Sequence, residues 1–218
     1  MRQLLLLPCL LLAATANAQD NNARAVALSA SVNDKVVAWR RDIHQHPELS
    51  NRETRTSKLV AGHLRSLGLE VRTGIARNGV VAIIKGGKPG PRIALRADMD
   101  ALPVTEQVDL PFASKVTTSY NGETVGVMHA CGHDAHTSIL MGVAEALVSM
   151  RKDLPGEVML IFQPAEEGAP EGETGGAAQM LAEGLFTGFK PEAVFGLHVH
   201  STARVGEIGY RSGAFMAA

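Results

Sequence analysis

The sequence predicts an α/β domain, a mixed, largely parallel sheet flanked by helices. Strand-length apolar runs bounded by Gly and Pro recur at residues 80–85, 92–97, 158–163 and 193–199. Helix-period patterns at residues 135–150 and 176–183 fall between the later runs. Strands that alternate with helices favour parallel pairing with crossovers. A hydrophobic fraction of 45% with 20% charged residues is a globular composition, large enough for one good core.

Along the chain, Arg2, an apolar stretch at residues 4–14 and Ala16-Asn17-Ala18 before Gln19 form the three-part layout of a secretory signal. Cleavage is expected after Ala18, which leaves residues 19–218 as an exported protein, periplasmic or secreted. The apolar stretch is shorter than the ~20 residues a membrane span needs, so no membrane partner is expected. Val32, Val36, Val37, Trp39 and Ile43 predict a helix over residues 32–46 that Pro47 stops. Leu59, Val60, His63, Leu64 and Leu67 predict a second over residues 53–67, ended by Gly68. The period then changes, and residues 69–73, 80–85 and 92–97 read as strands. Residues 102–120 are rich in turn formers and read as a surface loop. Ile139, Leu140, Val143, Leu147 and Met150 build a long helix over residues 135–150. A strand at 158–163, a helix at 176–183 and a strand at 193–199 follow, with a last extended segment at 205–210 able to pair beside it.

Loss of the signal removes Cys9 and leaves Cys131 as the only cysteine, so no intramolecular disulfide can form. A lone thiol in an oxidising compartment is protected when a metal holds it as thiolate, which favours Cys131 as a ligand. Without Arg2, 20 Lys+Arg face 22 Asp+Glu, a formal charge of −2 that excludes a basic nucleic-acid surface.

Five of the eight histidines, His129, His133, His136, His198 and His200, fall in two short stretches. The first is Met128-His129-Ala130-Cys131-Gly132-His133-Asp134-Ala135-His136 and the second Gly196-Leu197-His198-Val199-His200. Between them lies Pro164-Ala165-Glu166-Glu167-Gly168, directly after an apolar strand. Thiolate, imidazole and carboxylate together are the donor set of a metal site with a carboxylate base. In an extended segment Glu166 and Glu167 would point to opposite sides, one toward a metal and the other toward a water. His200 shares the strand parity of His198 and could contribute. Asp98 and Asp100 end the 92–97 strand, where they could orient a ligand histidine or touch a metal. Asp134 could cap the helix that follows it. Ligands in such sheets collect at the carboxyl ends of strands.

These stretches, with Arg41-Asp42-Ile43-His44-Gln45-His46-Pro47-Glu48-Leu49-Ser50 and Leu95-Arg96-Ala97-Asp98-Met99-Asp100-Ala101-Leu102-Pro103, form a motif series that resembles the dinuclear metallo-amidohydrolases. Within the aminoacylase and carboxypeptidase group, the resemblance is to hippurate hydrolase and to the N-acyl-amino-acid and indole-acetyl-amino-acid hydrolases. It implies the catalytic-domain fold of dinuclear zinc aminopeptidase-like hydrolases. It also implies Cys131, His133, Glu167 and His198 as ligands to two divalent ions and Glu166 as general base, with Asp98, Asp100 and His136 around them. Zinc or manganese is expected, and nickel or cobalt also suits the donors. The implied substrate is a small N-acyl amino acid. The resemblance further implies that residues 19–218 are the N-terminal part of the catalytic domain. A further histidine ligand and an inserted lid through which the family dimerises would lie outside this sequence. The alternative is a fragment that binds metal or an acyl-amino acid without turnover, or an inactive truncated chain.

Overall fold

The computed structural model describes residues 6–210, with side chains from residue 21 onward. Residues 1–5 of the expected signal, and residues 211–218, lie outside the described residues. Helix α1 (Leu6–Gln45) continues the 32–46 pattern upstream, and its backbone runs through Ala18. Among the described residues, no helix is long and apolar enough to cross a membrane. Helix α2 (Thr54–Ser66) follows. No side chain of its own N-cap residue caps it; the Glu48 carboxylate instead accepts the N–H groups of Arg55 and Thr56, each at 2.8 Å. An acceptor at that end satisfies donors the helix cannot satisfy internally. Gly68 ends the segment at φ +75°, a conformation that favours glycine.

Strands β1 (Val71–Ile75), β2 (Gly79–Lys85) and β3 (Lys88–Asp98) come next, then a hairpin of β4 (Thr117–Tyr120) and β5 (Glu123–Gly126). Helix α3 (His133–Ser149), β6 (Pro155–Gln163), α4 (Gly176–Ala182) and β7 (Ala193–Gly196) complete the order. The main sheet runs β1-β2-β6-β3-β7. Its β6, β3 and β7 are parallel, while β2 joins β6 and β1 joins β2 antiparallel, so the sheet is mixed.

Alternation along central β6 divides the core. Val158, Leu160 and Phe162 meet α2 and α3 through Val60, Leu64, Leu140 and Met141. Met159 and Ile161 face the other side, against Met180, Leu185 and Phe189. Helix α1 lies on α3 at close range, since a methyl added at Gly142 would stand 2.5 Å from Val36 Cγ2.

Four expectations need correction. The 102–120 loop ends in strand β4, because Asn121-Gly122, at φ +51° and +83°, form a two-residue turn matched to hairpin twist. Residues 205–210 form no strand. Gly206 at φ +92° interrupts the extended run, and Val205, Ile208 and Tyr210 are exposed. Strand β7 stops at Gly196, so strand parity does not reach His200. Asp134 lies inside the first turn of α3, whose N-cap is Gly132 at φ +86°.

Leu160 is wholly buried in the central strand and carries this core. Leu160→Ala should lower the unfolding free energy by about 2–5 kcal/mol. Urea denaturation followed by circular dichroism measures it, and a loss below about 1 kcal/mol would place the core elsewhere.

Candidate metal centre

Because β3 pairs in parallel with both β6 and β7, the carboxyl ends of all three open on one edge of the sheet. Asp98 is in register with Gln163 and Arg96 with Gly196. The chain leaving those ends supplies Asp98 and Asp100, Glu166 and Glu167, and His198. The first turn of α3 reaches the same place, since Thr137 Oγ1 donates to the Asp98 carbonyl at 2.7 Å.

His133 is the hub. It is completely buried, and its Nε2 stands 3.7 Å from Asp98 Oδ1, 3.7 Å from Glu166 Oε2 and 3.6 Å from Glu167 Oε1. Its Nδ1 faces Asp100 Oδ1 at 3.3 Å, yet neither ring nitrogen has a hydrogen bond. A buried polar group without a partner is costly. Burial disfavours the charged imidazole, but Asp100, Asp98 and Glu167 outweigh it and raise the His133 pKa above its ordinary value. Cys131 Sγ lies 3.4 Å from His198 Nε2, while His198 Nδ1 stands 2.6 Å from the Val199 carbonyl, a contact that would leave Nε2 as the free donor to an ion. Cys131, His133 and His198 can present ligand atoms within 4.8 Å of one another, and so can His133, Glu166 and Glu167.

Around this hub stand further polar residues, and Asp98, His133 and His136 also can present ligand atoms within 4.8 Å of one another. His136 Nδ1 meets Asp98 Oδ1 at 2.6 Å, and its Nε2 accepts the Val199 N–H at 2.9 Å, so both nitrogens are engaged. Burial would raise the Asp98 pKa. His136, His133 and Arg96 together overcome it and hold the carboxyl at about 2. Asp100 Oδ2 accepts Ser50 Oγ at 2.7 Å and the Glu167 N–H at 2.9 Å. His200 is exposed and turned to Thr202 Oγ1 at 2.8 Å, outside the cluster. His129 is buried with both nitrogens unpartnered, and burial lowers its pKa to about 4.

The donors fit divalent metal ions on two observations. His133 carries two orphaned buried nitrogens among four carboxylates. Burial, with Glu167, Glu166 and Asp98 close by, pushes the Cys131 thiol up to about 12. The carboxylates that add to burial in keeping the thiol protonated would also draw in a cation, and a bound cation would displace the proton.

The premise that Glu166 and Glu167 lie in an extended segment does not hold. Strand β6 ends at Gln163, Ala165 bends the chain at φ +47°, residues 166 and 167 are themselves bent, and both carboxylates come near His133 Nε2. Glu166 is the more exposed, its side chain 38% accessible against 22% for Glu167. Arg96 Nη2 lies 3.9 Å from Glu166 Oε1. The sequence reading missed Arg96, Ser50 and Glu53; each sits within or beside a quoted motif, and none carries a spacing signal of its own.

An α/β domain with thiolate, imidazole and carboxylate donors gathered at parallel strand ends has the layout of a metal-binding site at the carboxyl edge of a sheet. The chain is a member of Peptidase family M20/M25/M40, which it matches over residues 94–213. It is 48% identical over 187 residues to thermostable carboxypeptidase 1 of Saccharolobus solfataricus, covering 85% of this chain and 44% of that protein. It is 42% identical over 187 residues to the N-acyl-L-amino acid amidohydrolase of Geobacillus stearothermophilus, covering 86% of this chain and 47% of that one. Its fold matches the crystal structure of the Bacillus subtilis YXEP protein, described as a dinuclear metal binding peptidase of family M20, with TM-score 0.73 and 42% identity, over 84% of this chain and 48% of that chain. The chain thus spans less than half the length of the relatives it matches.

On the far side of α3's first turn, His44 is buried between carboxylates, with Nδ1 2.8 Å from Asp134 Oδ2 and Nε2 3.1 Å from Glu106 Oε1. Its hydrogen bond to Asp134 raises its pKa above 6.5 against the opposing effect of burial. Burial would raise Asp134, but His44, His129 and Arg40 prevail and hold it below 3.8. The His44 contribution to stability is complete below pH 6.5 and is lost as pH rises through the folded value. The Asp134 contribution is present above pH 3.8 and is lost as pH falls through its own folded value. His44→Gln should therefore destabilise the chain more at about pH 5.5 than at about pH 9. Urea unfolding at both values measures this, and an equal loss at each would rule out the charged pair.

Proposed function

We propose that this chain forms the metal-binding part of an amidohydrolase that cleaves the amide bond of N-acyl amino acids. The observation that carries the reading is the convergence of Cys131, His133, His198, Glu166 and Glu167, with His133 orphaned and buried at its centre. The names of the M20 relatives, an N-acyl-L-amino acid amidohydrolase and a carboxypeptidase among them, support the substrate class. In this reading Cys131, His133, Glu167 and His198 hold two divalent ions, zinc or manganese. When bound, such ions polarise a carbonyl and acidify water.

The chain's own residues supply the rest. Glu166, the more accessible carboxylate, takes a proton from the attacking water as its oxygen bonds to the amide carbon. It then delivers that proton to the departing nitrogen as the C–N bond breaks, giving a carboxylic acid and a free amino acid. Arg96 keeps positive charge beside Glu166 and ties Asp98 at 2.6 Å. Asp98 through His136, and Asp100 through Ser50 and the Glu167 N–H, limit the freedom of the ligand-bearing loops. Export under the N-terminal signal belongs to the same proposal.

Elemental analysis of the purified chain, with hydrolysis of hippurate and N-acetyl amino acids under added zinc or manganese, tests it. Glu166→Gln should keep the metal and lose about 10²–10⁴-fold in turnover. His133→Ala and Cys131→Ser should lose metal and turnover together. Turnover that survives Glu166→Gln, or a wild-type chain that takes up no metal, would defeat the reading.

A further inference from the structure

Glu53 is fully buried and lies outside the cluster, yet it reaches the loop that carries both glutamates. Its Oε1 accepts the N–H of Asn51 at 2.9 Å and the N–H of Ala165 at 2.8 Å. Its Oε2 accepts Asn78 Nδ2 at 2.9 Å. One carboxylate thus ties the approach to α2, the β1–β2 turn and the end of β6. A buried carboxylate is retained at a cost, and three donors in fixed positions offset it.

The bond to Ala165 is the one that matters for the site. Ala165 is a non-glycine residue at φ +47°, a conformation that costs an L side chain energy unless its surroundings impose it. The surroundings do impose it. Ala165 is 4% exposed, and a methyl added at Gly175 would stand 2.8 Å from Ala165 Cβ and 2.9 Å from Asn51 Oδ1, so the neighbouring loop closes on the bend. Asn51 in turn donates Nδ2 to Glu173 Oε2 at 2.9 Å and to the Thr174 carbonyl at 3.0 Å, which holds that loop down. The bend at Ala165 sets the direction in which the chain leaves β6, and the two residues that follow it bring both carboxylates within 3.7 Å of His133 Nε2.

We propose that Glu53 is a positioning residue that holds Ala165 in its left-handed bend and thereby brings Glu166 and Glu167 to the metal centre together. The role of the two glutamates rests on the function proposed above; the clamp on Ala165 does not.

Two measurements on the whole chain separate these. Amide exchange on the metal-free protein reads the clamp alone. The Ala165 N–H, though outside any strand or helix, should exchange as slowly as the amides of β6, and Glu53→Met, of similar length and without an acceptor, should speed it at least about tenfold. Fast exchange of Ala165 in the wild type would overturn the proposal with no variant needed. Competition with a chelating dye for Zn²⁺ then reads the consequence. Glu53→Met should weaken Zn²⁺ binding about 10–100-fold, and Glu53→Gln, whose carbonyl oxygen can accept both N–H groups, should restore it. Adding Ala165→Gly to Glu53→Met should recover most of the affinity, because glycine adopts positive φ unaided. A merely structural Glu53 would give no such recovery, and that outcome, or Zn²⁺ binding unchanged in Glu53→Met, would overturn the proposal. Should the wild type bind no Zn²⁺, the function reading fails while amide exchange still decides the clamp.

Discussion

The parallel pairing of β3 with β6 on one side and β7 on the other is the constraint on which the rest depends. Parallel strands end on the same edge, so each loop leaving a carboxyl end starts within one strand spacing of its neighbour. From that geometry alone, Asp98 is brought level with Gln163 and Arg96 with Gly196, and two to four further residues of chain carry Asp100, Glu166, Glu167 and His198 inward. Had β6 paired antiparallel to β3, the glutamates would leave from the opposite edge, a full strand length from the aspartates. The antiparallel strands β1 and β2 sit on the side of β6 away from β3 and β7, and their turn reaches toward the site through Asn78, which donates to Glu53 Oε2.

Gathering so much like charge in one place has an electrostatic cost that the protein meets in two ways. Outer carboxylates are neutralised by protein cations and donors: Asp98 by His136 and Arg96, Asp100 by Ser50 and the Glu167 amide. At the centre that compensation stops. His133 makes no hydrogen bond, and burial, with Glu167, Glu166 and Asp98 close by, favours the neutral form of the Cys131 thiol. Structural ion-pair networks close on themselves; this one is complete at its rim and open at its middle, which is the pattern of a site that takes a cation.

Much of this was legible in the sequence because strand and helix periods are local. The runs at 80–85, 92–97 and 158–163 became β2, β3 and β6 with small shifts at their ends, and the 135–150 pattern became α3. The histidine clusters and Cys131 stood out as candidates because thiolate and imidazole fall so close together in the chain, while the division into ligands and base came from the family resemblance. What local pattern could not carry was backbone shape at single residues. Asn121-Gly122 held a hairpin signal that a turn-rich composition hid. Ala165 gave none, since alanine at positive φ contradicts its own preference, and what encloses it, Glu53 112 positions away and the loop at Gly175, is not its local sequence. Parity then misdirected Glu166 and Glu167, and it misdirected His200 for the related reason that β7 ends too soon.

The first turn of α3 shows how packing and site serve each other. This helix has no side-chain N-cap and begins from Gly132 in a left-handed conformation, an exposed start in energetic terms. Consecutive residues His133 and Asp134 anchor it in opposite directions, the first into the carboxylate cluster and the second against His44 and Arg40 of α1. Thr137 adds a bond to the Asp98 carbonyl one turn later. The helix start is therefore held by buried side chains on both sides and not by a cap. Because Asp134 grips α1 while His133 faces the cluster, a rotation that moved His133 off the carboxylates would also have to break the buried His44 pair. The contact that stabilises the helix pair α1–α3 is in this way the one that fixes the imidazole at the hub.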